Sequence, residues 1–398
     1  MYFGDKMKFK LLLVIFAVAV AGVYAQDIPP FTEDCRTDVY PPPSSETKVD
    51  TFVLNLDLAP EDRWTPLVKN KTGEMKAMIQ DIIDLVGNFV KNETGVVDWI
   101  NEIMAPIADT LPDPYQGEIK GIAKATGIPL GEVVLYNIFY EIFTFCTSIV
   151  AEDKSGKLYH ARNLDFGLFL GWDTKTNQWE LTERLRPLII NVDYQMKNQT
   201  VAKAVHFTGY TGVITGVKPG VITLTMNERF NINGGYLGLL QWILGDHTGH
   251  WVGFAIRDVL LDAQSYDAAK DYIVKSKLLA PAYFILGGSK SGQGAIITRD
   301  RESCAEVRSL NPKNGTWFLL ETNYDPWTSP PFFDDRRTPG TKCMNKLGYD
   351  NAGLPGLFNV LSTKPNLNVL TTYTTLMQVD SGHMETYIRH CEQPCWPW

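Results

Sequence analysis

The period of the apolar positions changes sharply close to residue 146 of this chain. Ahead of that point, over 66–145, apolar residues recur at three and four. Met78, Ile79, Ile82, Ile83, Leu85, Val86 and Val90 form one stripe, and Val134, Leu135, Ile138, Phe139, Ile142 and Phe143 a broader one. This spacing predicts helix after helix, broken at Pro112-Asp113-Pro114 and resumed over 115–125 and 129–145. Beyond residue 146, β-branched runs bounded by Gly, Asn and Asp predict strands over 147–152, 158–163, 188–194, 202–207 and 221–227. Helices near 238–244 and over 251–274, the latter divisible near Ser265, interrupt the sheet. Strands resume over 282–287, 295–299, 305–310 and 316–323, before a short helix over 355–362 and a last strand over 369–379. A short strand over 52–56 precedes the helices. Strands, helices and more strands point to an α+β chain with two layers of sheet covered by helices.

The ends of the chain add a compartment. Lys6, Lys8 and Lys10 precede an apolar run over 11–21, and Val23-Tyr24-Ala25 looks like a cleavage site, so residues 1–25 read as a secretory signal peptide. The run is too short for a bilayer span. Pro29-Pro30, Pro41-Pro42-Pro43 and Ser44-Ser45 predict an extended arm rather than a core element. Sequons at Asn70, Asn92, Asn198 and Asn314 agree with the secretory route. In that compartment disulfides persist. Of six cysteines, Cys391 and Cys395 suggest a local C-terminal loop, and Cys35 with Cys343 would tie the N-terminal arm to the distal half, although spacing alone leaves other pairings open. The net charge of −8, or −10 without the three lysines and one aspartate of the leader, argues against a nucleic-acid partner.

Candidate chemistry concentrates at the change of period. Cys146 stands at the start of an expected hairpin whose return strand carries Arg162 and Asp165. A four-residue loop over 153–156 would set Cys146 opposite Asn163, put Asp165 diagonally on the thiol's face and send Arg162 to the other face. The bland reading is a buried, inert cysteine beside an Arg–Asp pair. A thiol protease would need a histidine base, and His383 and His390 lie far downstream without the local signature. His247 and His250 lack a third metal ligand, and the glycine-rich 287–294 stretch leads into a strand, as a hairpin turn does and a phosphate cradle does not. Polar clusters at Asn227-Glu228-Arg229, Asn323-Tyr324-Asp325 and Asp334-Asp335-Arg336-Arg337 close strands or follow an aromatic loop.

These motifs, with Phe145-Cys146-Thr147-Ser148 and Arg162-Asn163-Leu164-Asp165-Phe166, closely resemble the acid ceramidase family, which is similar to the cholylglycine hydrolases of the N-terminal nucleophile superfamily. The resemblance implies an αββα sandwich and self-cleavage between Phe145 and Cys146. It gives a helical α-subunit over 26–145 and a catalytic β-subunit over 146–398. The freed α-amino group would then be the base for the thiol, so no histidine is required. By the same resemblance Asp165 orients that amine, Arg162 holds the thiolate and substrate, Asn323 donates to the oxyanion, and Glu228 and Arg336 anchor the site. The implied substrate is ceramide, hydrolysed without metal or cofactor in the lysosome, with secretion as a second destination. A saposin-type lipid-transfer activator and peripheral contact with lysosomal membranes are the implied partners. Segments 166–172 and 327–333 are candidate walls of an apolar channel. N-acylethanolamine amidase activity is the alternative within the family, and a catalytically silent lipid-binding protein is the alternative outside it.

Overall fold

The computed structural model describes residues 32–43, 48–89, 95–139, 144–167, 172–173, 175–176, 178–230 and 235–395. The expected leader, the sequon at Asn92, the wall residues 168–171 and the glycine-rich 231–234 lie outside them. After a first strand β1 (Thr51–Asn55), the N-terminal part is helical: Pro60–Arg63, Thr65–Val68, Thr72–Phe89, Val96–Met104, Tyr115–Thr126 and Leu130–Phe139. Strand then dominates, in chain order β2 (Thr144–Glu152), β3 (Leu158–Phe166), β4 (Trp172–Asp173), β5 (Gln178–Trp179), β6 (Ile189–Met196), β7 (Gln199–Phe207), β8 (Thr215–Lys218) and β9 (Ile222–Glu228). After the helices Gly235–Ile243, Val252–Asp262 and Tyr266–Lys275 come β10 (Ala282–Gly287), β11 (Gly294–Arg299), β12 (Cys304–Ser309) and β13 (Phe318–Glu321). The helices Arg337–Leu347 and Leu354–Ser362 lead to β14 (Thr371–Gln378) and β15 (His383–Ile388).

Two sheets stack. One has eight strands in the order β1-β6-β7-β8-β9-β10-β11-β12, and the other five in the order β13-β2-β3-β14-β15. The outer face of the five-stranded sheet buries Ile149, Ala151, Ala161 and Leu376 with Met344, Leu357, Phe358 and Leu361 of the last two helices. Between the sheets lie Val150, Leu158, Tyr283, Ile285 and Ile296. The N-terminal helices and Val252–Asp262 share the largest apolar cluster with the eight-stranded sheet, through Ile119, Ile122, Val134, Ile256 and Leu260. This is the helix–sheet–sheet–helix layering that the resemblance implied.

Most expected elements are present. Ser265 splits the long helical stretch because its Oγ accepts from Ala268 N at 3.2 Å, capping a new helix. Two differences matter. Strand β2 begins at Thr144, so the Phe145–Cys146 bond lies inside a strand and not at the end of a helix. The helix Arg337–Leu347 was not expected, since Pro339 and Gly340 interrupt its pattern.

The N-terminal part is fastened to later helices of the chain by a buried ion pair and a disulfide. Arg257 donates to both oxygens of Glu118 at 2.5 and 2.6 Å, and Trp64 Nε1 and Arg63 complete the carboxylate's shell at 2.7 and 3.1 Å. Burial works against the Glu118 carboxylate, but Arg257 and these donors hold its pKa below the ordinary value. Tyr115 stacks on Phe254 at 3.7 Å beside the pair. Cys35 is bonded to Cys343, and Cys391 to Cys395, while Cys146 and Cys304 are free. The sequon residues Asn70, Asn198 and Asn314 are exposed. No helix of the described residues is long and apolar enough to cross a membrane.

Removing one partner of a buried pair strands the other charge. Glu118→Gln is expected to cost about 3–5 kcal/mol of stability, read from the urea midpoint; a loss under about 1 kcal/mol would show that the pair does not fasten the two helices.

Candidate active site

The hairpin that carries Cys146 is set by its turn. Asp153 Oδ1 accepts from Ser155 N at 2.8 Å and Lys157 N at 3.0 Å, and Asp153 N donates to Lys157 O at 2.9 Å. Asp153 therefore faces Lys157 across a three-residue turn with Gly156 at φ 85°. Glu152 then pairs with Leu158, Ser148 with Arg162 and Cys146 with Leu164. The four-residue loop and the Cys146–Asn163 pairing expected from sequence are thus corrected by one residue, and a one-residue slip exchanges the two faces. Arg162 shares the thiol's face, with no bulge needed. Asp165 points to the other face, not diagonally toward the thiol.

Cys146 is fully buried between the sheets. Arg162 Nη2 donates to its Sγ, and Met226 O lies 3.7 Å from that sulfur. Arg162 is held from the facing sheet, because its Nη1 donates to Ile214 O at 3.0 Å and Thr215 Oγ1 at 2.7 Å. The Tyr373 hydroxyl meets Thr215 Oγ1 at 2.9 Å, and the Tyr373 ring lies 6.0 Å from the guanidinium. Thr215 and Tyr373 had no local sequence signal; Thr215 meets Arg162 because the sheets stack, and Tyr373 because β14 pairs with β3 in the same sheet.

Cys146's own backbone is gripped as firmly. Cys146 N donates to Asn323 Oδ1 at 2.9 Å, and Arg336 Nη1 donates to Cys146 O at 2.7 Å. Arg336 Nη2 also donates to Asn323 Oδ1, at 2.8 Å, while Asn323 Nδ2 donates to Glu228 O at 2.8 Å. Two obligate donors on one atom and a carbonyl on the other fix the orientation of the Asn323 amide. Its oxygen, and not its NH2, therefore meets Cys146 N in the unbroken chain.

Asp165 accepts from Arg336 Nη1 at 3.1 Å, Asn368 Nδ2 at 3.1 Å and Thr371 Oγ1 at 2.6 Å. Arg336 precedes the helix Arg337–Leu347 and is clasped by Asp334, whose Oδ1 lies 2.8 Å from its Nε. Asp334 belongs to the polar cluster Asp334-Asp335-Arg336-Arg337, and its place two residues ahead of Arg336 is the sequence signal for this contact. Among the six expected site residues, Cys146, Arg162, Asn323, Arg336 and Asp165 form one contact network, and half-buried Glu228 joins through its backbone oxygen.

Electrostatics follow from burial. Desolvation pushes the Cys146 thiol up to about 11, Arg162 and Arg336 oppose that shift, and Asp165 and Glu228 add to it. The thiol is therefore protonated in the unbroken chain at neutral or acidic pH. Burial also raises Asp165 above the usual carboxylate range against the pull of Arg336. Asp334 and Asp165 outweigh the burial of Arg336 and keep it charged.

The aromatic segments divide. Phe166 is core, 5.9 Å from Phe139 and 6.3 Å from Phe207. Trp327 and Phe332 are exposed. Phe145's ring lies 4.8 Å from that of Phe230, which is 6.2 Å from Tyr324. A surface cavity of about 610 Å³ lined by Glu74, Asp173, Glu180 and Glu183 shares no residue with this site.

A thiol, a guanidinium on it and a tightly held backbone suit acyl transfer at a linear amide. The sequence pattern described as "Linear amide C-N hydrolases, choloylglycine hydrolase family" matches residues 146–358, beginning on Cys146 itself. This chain belongs to that family. The pattern described as "beta subunit of N-acylethanolamine-hydrolyzing acid amidase" matches residues 47–111. Curated relatives place the chain in the family's acid ceramidase branch. It is 49% identical to "Acid ceramidase" of Homo sapiens over 388 residues, covering 97% of this chain and 98% of that protein. The Pan troglodytes protein of the same name is 48% identical over 391 residues, 98% and 99% of the two chains. A solved Caenorhabditis elegans N-acylethanolamine-hydrolyzing acid amidase ortholog superposes with TM-score 0.53 at 32% identity, over 61% of this chain and 100% of that one.

Buried titratable groups make stability depend on pH with opposite signs. His160, between Thr223 Oγ1 and Thr225 Oγ1 at 3.0 Å each, is lowered to about 3 by burial, as is His206. Their folded pKa lies below the unfolded value near 6.5. The stability they allow is complete above that pH and is lost as pH falls toward 3. Glu321 is raised by burial to about 7, despite Arg308, so its contribution is complete in acid and lost as pH rises through 7. From pH 7 to pH 5 each histidine should cost about 2 kcal/mol and Glu321 should return about 2 kcal/mol. Glu321→Gln should therefore be destabilised by acid more steeply than the parent, whereas His160→Gln should be destabilised less steeply. Urea titrations at the two pH values that gave parallel slopes for all three proteins would refute this.

Proposed function

We propose that this chain is a self-processing acid amidase that hydrolyses ceramide to sphingosine and a free fatty acid through a thioester on Cys146. The observation that carries the reading is the Cys146 thiol beneath Arg162, in a chain nearly half identical to acid ceramidases over almost its whole length. Cleavage comes first. The Cys146 thiol lies one five-membered ring from the Phe145 carbonyl carbon. Attack there forms an S–C bond and breaks the C–N bond once the nitrogen takes a proton, leaving a thioester that water hydrolyses. The products are a free Phe145 carboxylate and an α-amino group on Cys146.

That amine changes the electrostatics. A thiolate alone is disfavoured by burial, with the thiol near 11, but an ammonium beside it supplies the compensating charge. On ceramide, the thiolate attacks the amide carbonyl under Arg162, and the ammonium protonates the departing sphingosine nitrogen. The neutral amine then takes a proton from the water that opens the acyl thioester. In this reading Asn323 orients the Cys146 nitrogen, Asp165 acts through Arg336, and Glu228 tunes the thiol by its charge.

The same reading divides the chain into a leader over 1–25, a helical α-subunit over 26–145 and a catalytic β-subunit over 146–398. It puts the enzyme in the lysosome, reached by the secretory route that the leader and sequons support. Contact with lysosomal membranes and a saposin-type activator rest on the family resemblance alone. N-acylethanolamine hydrolysis is kept as a second reading because of the match over 47–111 and the nematode structure.

Cys146→Ala is expected to give one uncleaved chain without amidase activity, by intact mass and lipid turnover; a cleaved or active variant would sink the proposal. Turnover of ceramide and an N-acylethanolamine side by side at acidic pH decides between the substrates. Ceramide is expected to give a kcat/KM at least about tenfold higher, a difference of about 1.4 kcal/mol in transition-state binding.

A further inference from the structure

We infer that Asp334, with Tyr324, is a positioning residue that sets Arg336 and Asn323 against Cys146. The inference rests on the reading of Cys146 as both nucleophile and cleavage residue. Its basis is a closed ring of contacts. Asp334 Oδ1 accepts from Arg336 Nε at 2.8 Å, and its Oδ2 accepts from Arg336 Nη2 at 3.0 Å. Asp334 Oδ2 also accepts from the Tyr324 hydroxyl at 2.8 Å. Tyr324 is bonded to Asn323, whose Oδ1 returns to Arg336 Nη2 at 2.8 Å.

One carboxylate thus fixes both groups that hold the scissile residue, Asn323 on Cys146 N and Arg336 on Cys146 O. The side-chain hydrogen bonds of Asp334 run to Arg336 and Tyr324, so its effect on Cys146 passes through them. Arg336, fully buried, has a second carboxylate within reach, Asp165 on its Nη1 at 3.1 Å. Without Asp334 the guanidinium can turn to take both oxygens of Asp165, the geometry that arginine and carboxylate favour. That turn carries Nη1 away from Cys146 O and Nη2 away from Asn323. Asp334 and Tyr324 hold the alternative closed.

The test follows cleavage of purified precursor by intact mass, then ceramide turnover by the cleaved fraction across pH. Asp334→Asn is expected to slow cleavage about 10²-fold, the scale of a small misplacement of reacting groups. Tyr324→Phe, which loses one hydroxyl and keeps its ring, is expected to slow it about tenfold and covers the case in which Asp334→Asn folds poorly. In the cleaved fraction kcat should fall with KM nearly unchanged. The thiol limb of the pH profile should move to lower pH for Asp334→Asn, because Arg336 then has less compensating charge. Glu118→Gln is the comparator, since it breaks a buried ion pair elsewhere and should leave that limb in place. Parental cleavage rates in both variants, or losses that track only the folded fraction with an unmoved pH profile, overturn the inference. A parent that neither cleaves nor hydrolyses ceramide overturns the functional reading and this inference together, a result separate from slow variants of an active parent.

Discussion

A guanidinium with no water to turn to must be held by charge, and Arg336 is held from three sides. Asp334 takes its Nε edge, Asp165 shares its Nη1, and the Cys146 carbonyl and Asn323 amide oxygen accept the remaining hydrogens. Moving such a group out of water costs several kcal/mol unless its partners are complete. Completeness explains why the site is so tightly specified. Arg162 and Arg336 stand against Asp165 and Asp334, with a neutral thiol between them. Glu228, half-buried, adds its charge at the edge of this balance and raises the thiol further. In the proposed reading an α-ammonium on Cys146 stabilises a thiolate, so the event that creates the base would also activate the nucleophile.

The stacked sheets make this balance possible. The five-stranded sheet supplies Cys146 and Arg162 on its inner face, and the eight-stranded sheet supplies Ile214 O, Thr215 and Met226 O opposite. A second polar chain fixes how the sheets sit. Ser148 Oγ donates to Asn227 Oδ1 at 2.7 Å, and Asn227 Nδ2 donates to Glu321 O and Thr322 O at 2.9 and 2.8 Å. Satisfied networks of this kind specify one arrangement among several that apolar packing would tolerate. Because Glu321 and Thr322 directly precede Asn323, a slip between the sheets would be felt at the Cys146 nitrogen.

Much of this was legible in the sequence, and the failures have identifiable causes. The change from helical to strand period marked Cys146, and the motif residues around Arg162, Asn323 and Arg336 meet in space as their clustering at strand ends suggested. The register was misjudged because the Asp153 side chain organises the turn, an interaction that loop length does not reveal. That single residue decides which of Arg162 and Asp165 sees the thiol. The strands Thr215–Lys218 and His383–Ile388 went unrecognised, the first being four residues long and the second carrying His383, Glu385 and Thr386 among its apolar positions. Thr215 is among the costs of that omission, since it holds Arg162 across the gap between the sheets.

Breaking Phe145–Cys146 need not loosen the molecule. The bond lies within β2, and the residues after it remain paired on one side with β3 and on the other with β13. Upstream, the helical part stays attached through Cys35–Cys343 and through Glu118 on Arg257. Pulling the two pieces apart would expose Tyr115 and Trp64 and strand the Arg257 charge, which is strongly uphill. What cleavage can change is therefore local. Phe145 gains a carboxylate where its ring now packs on Phe230, with the Arg336 guanidinium 5.8 Å away. A new anion at that position would compete with Asp165 and Asp334 for Arg336 unless it withdrew. Withdrawal of the Phe145 end would relieve that electrostatic conflict and vacate the place where its ring now packs on Phe230.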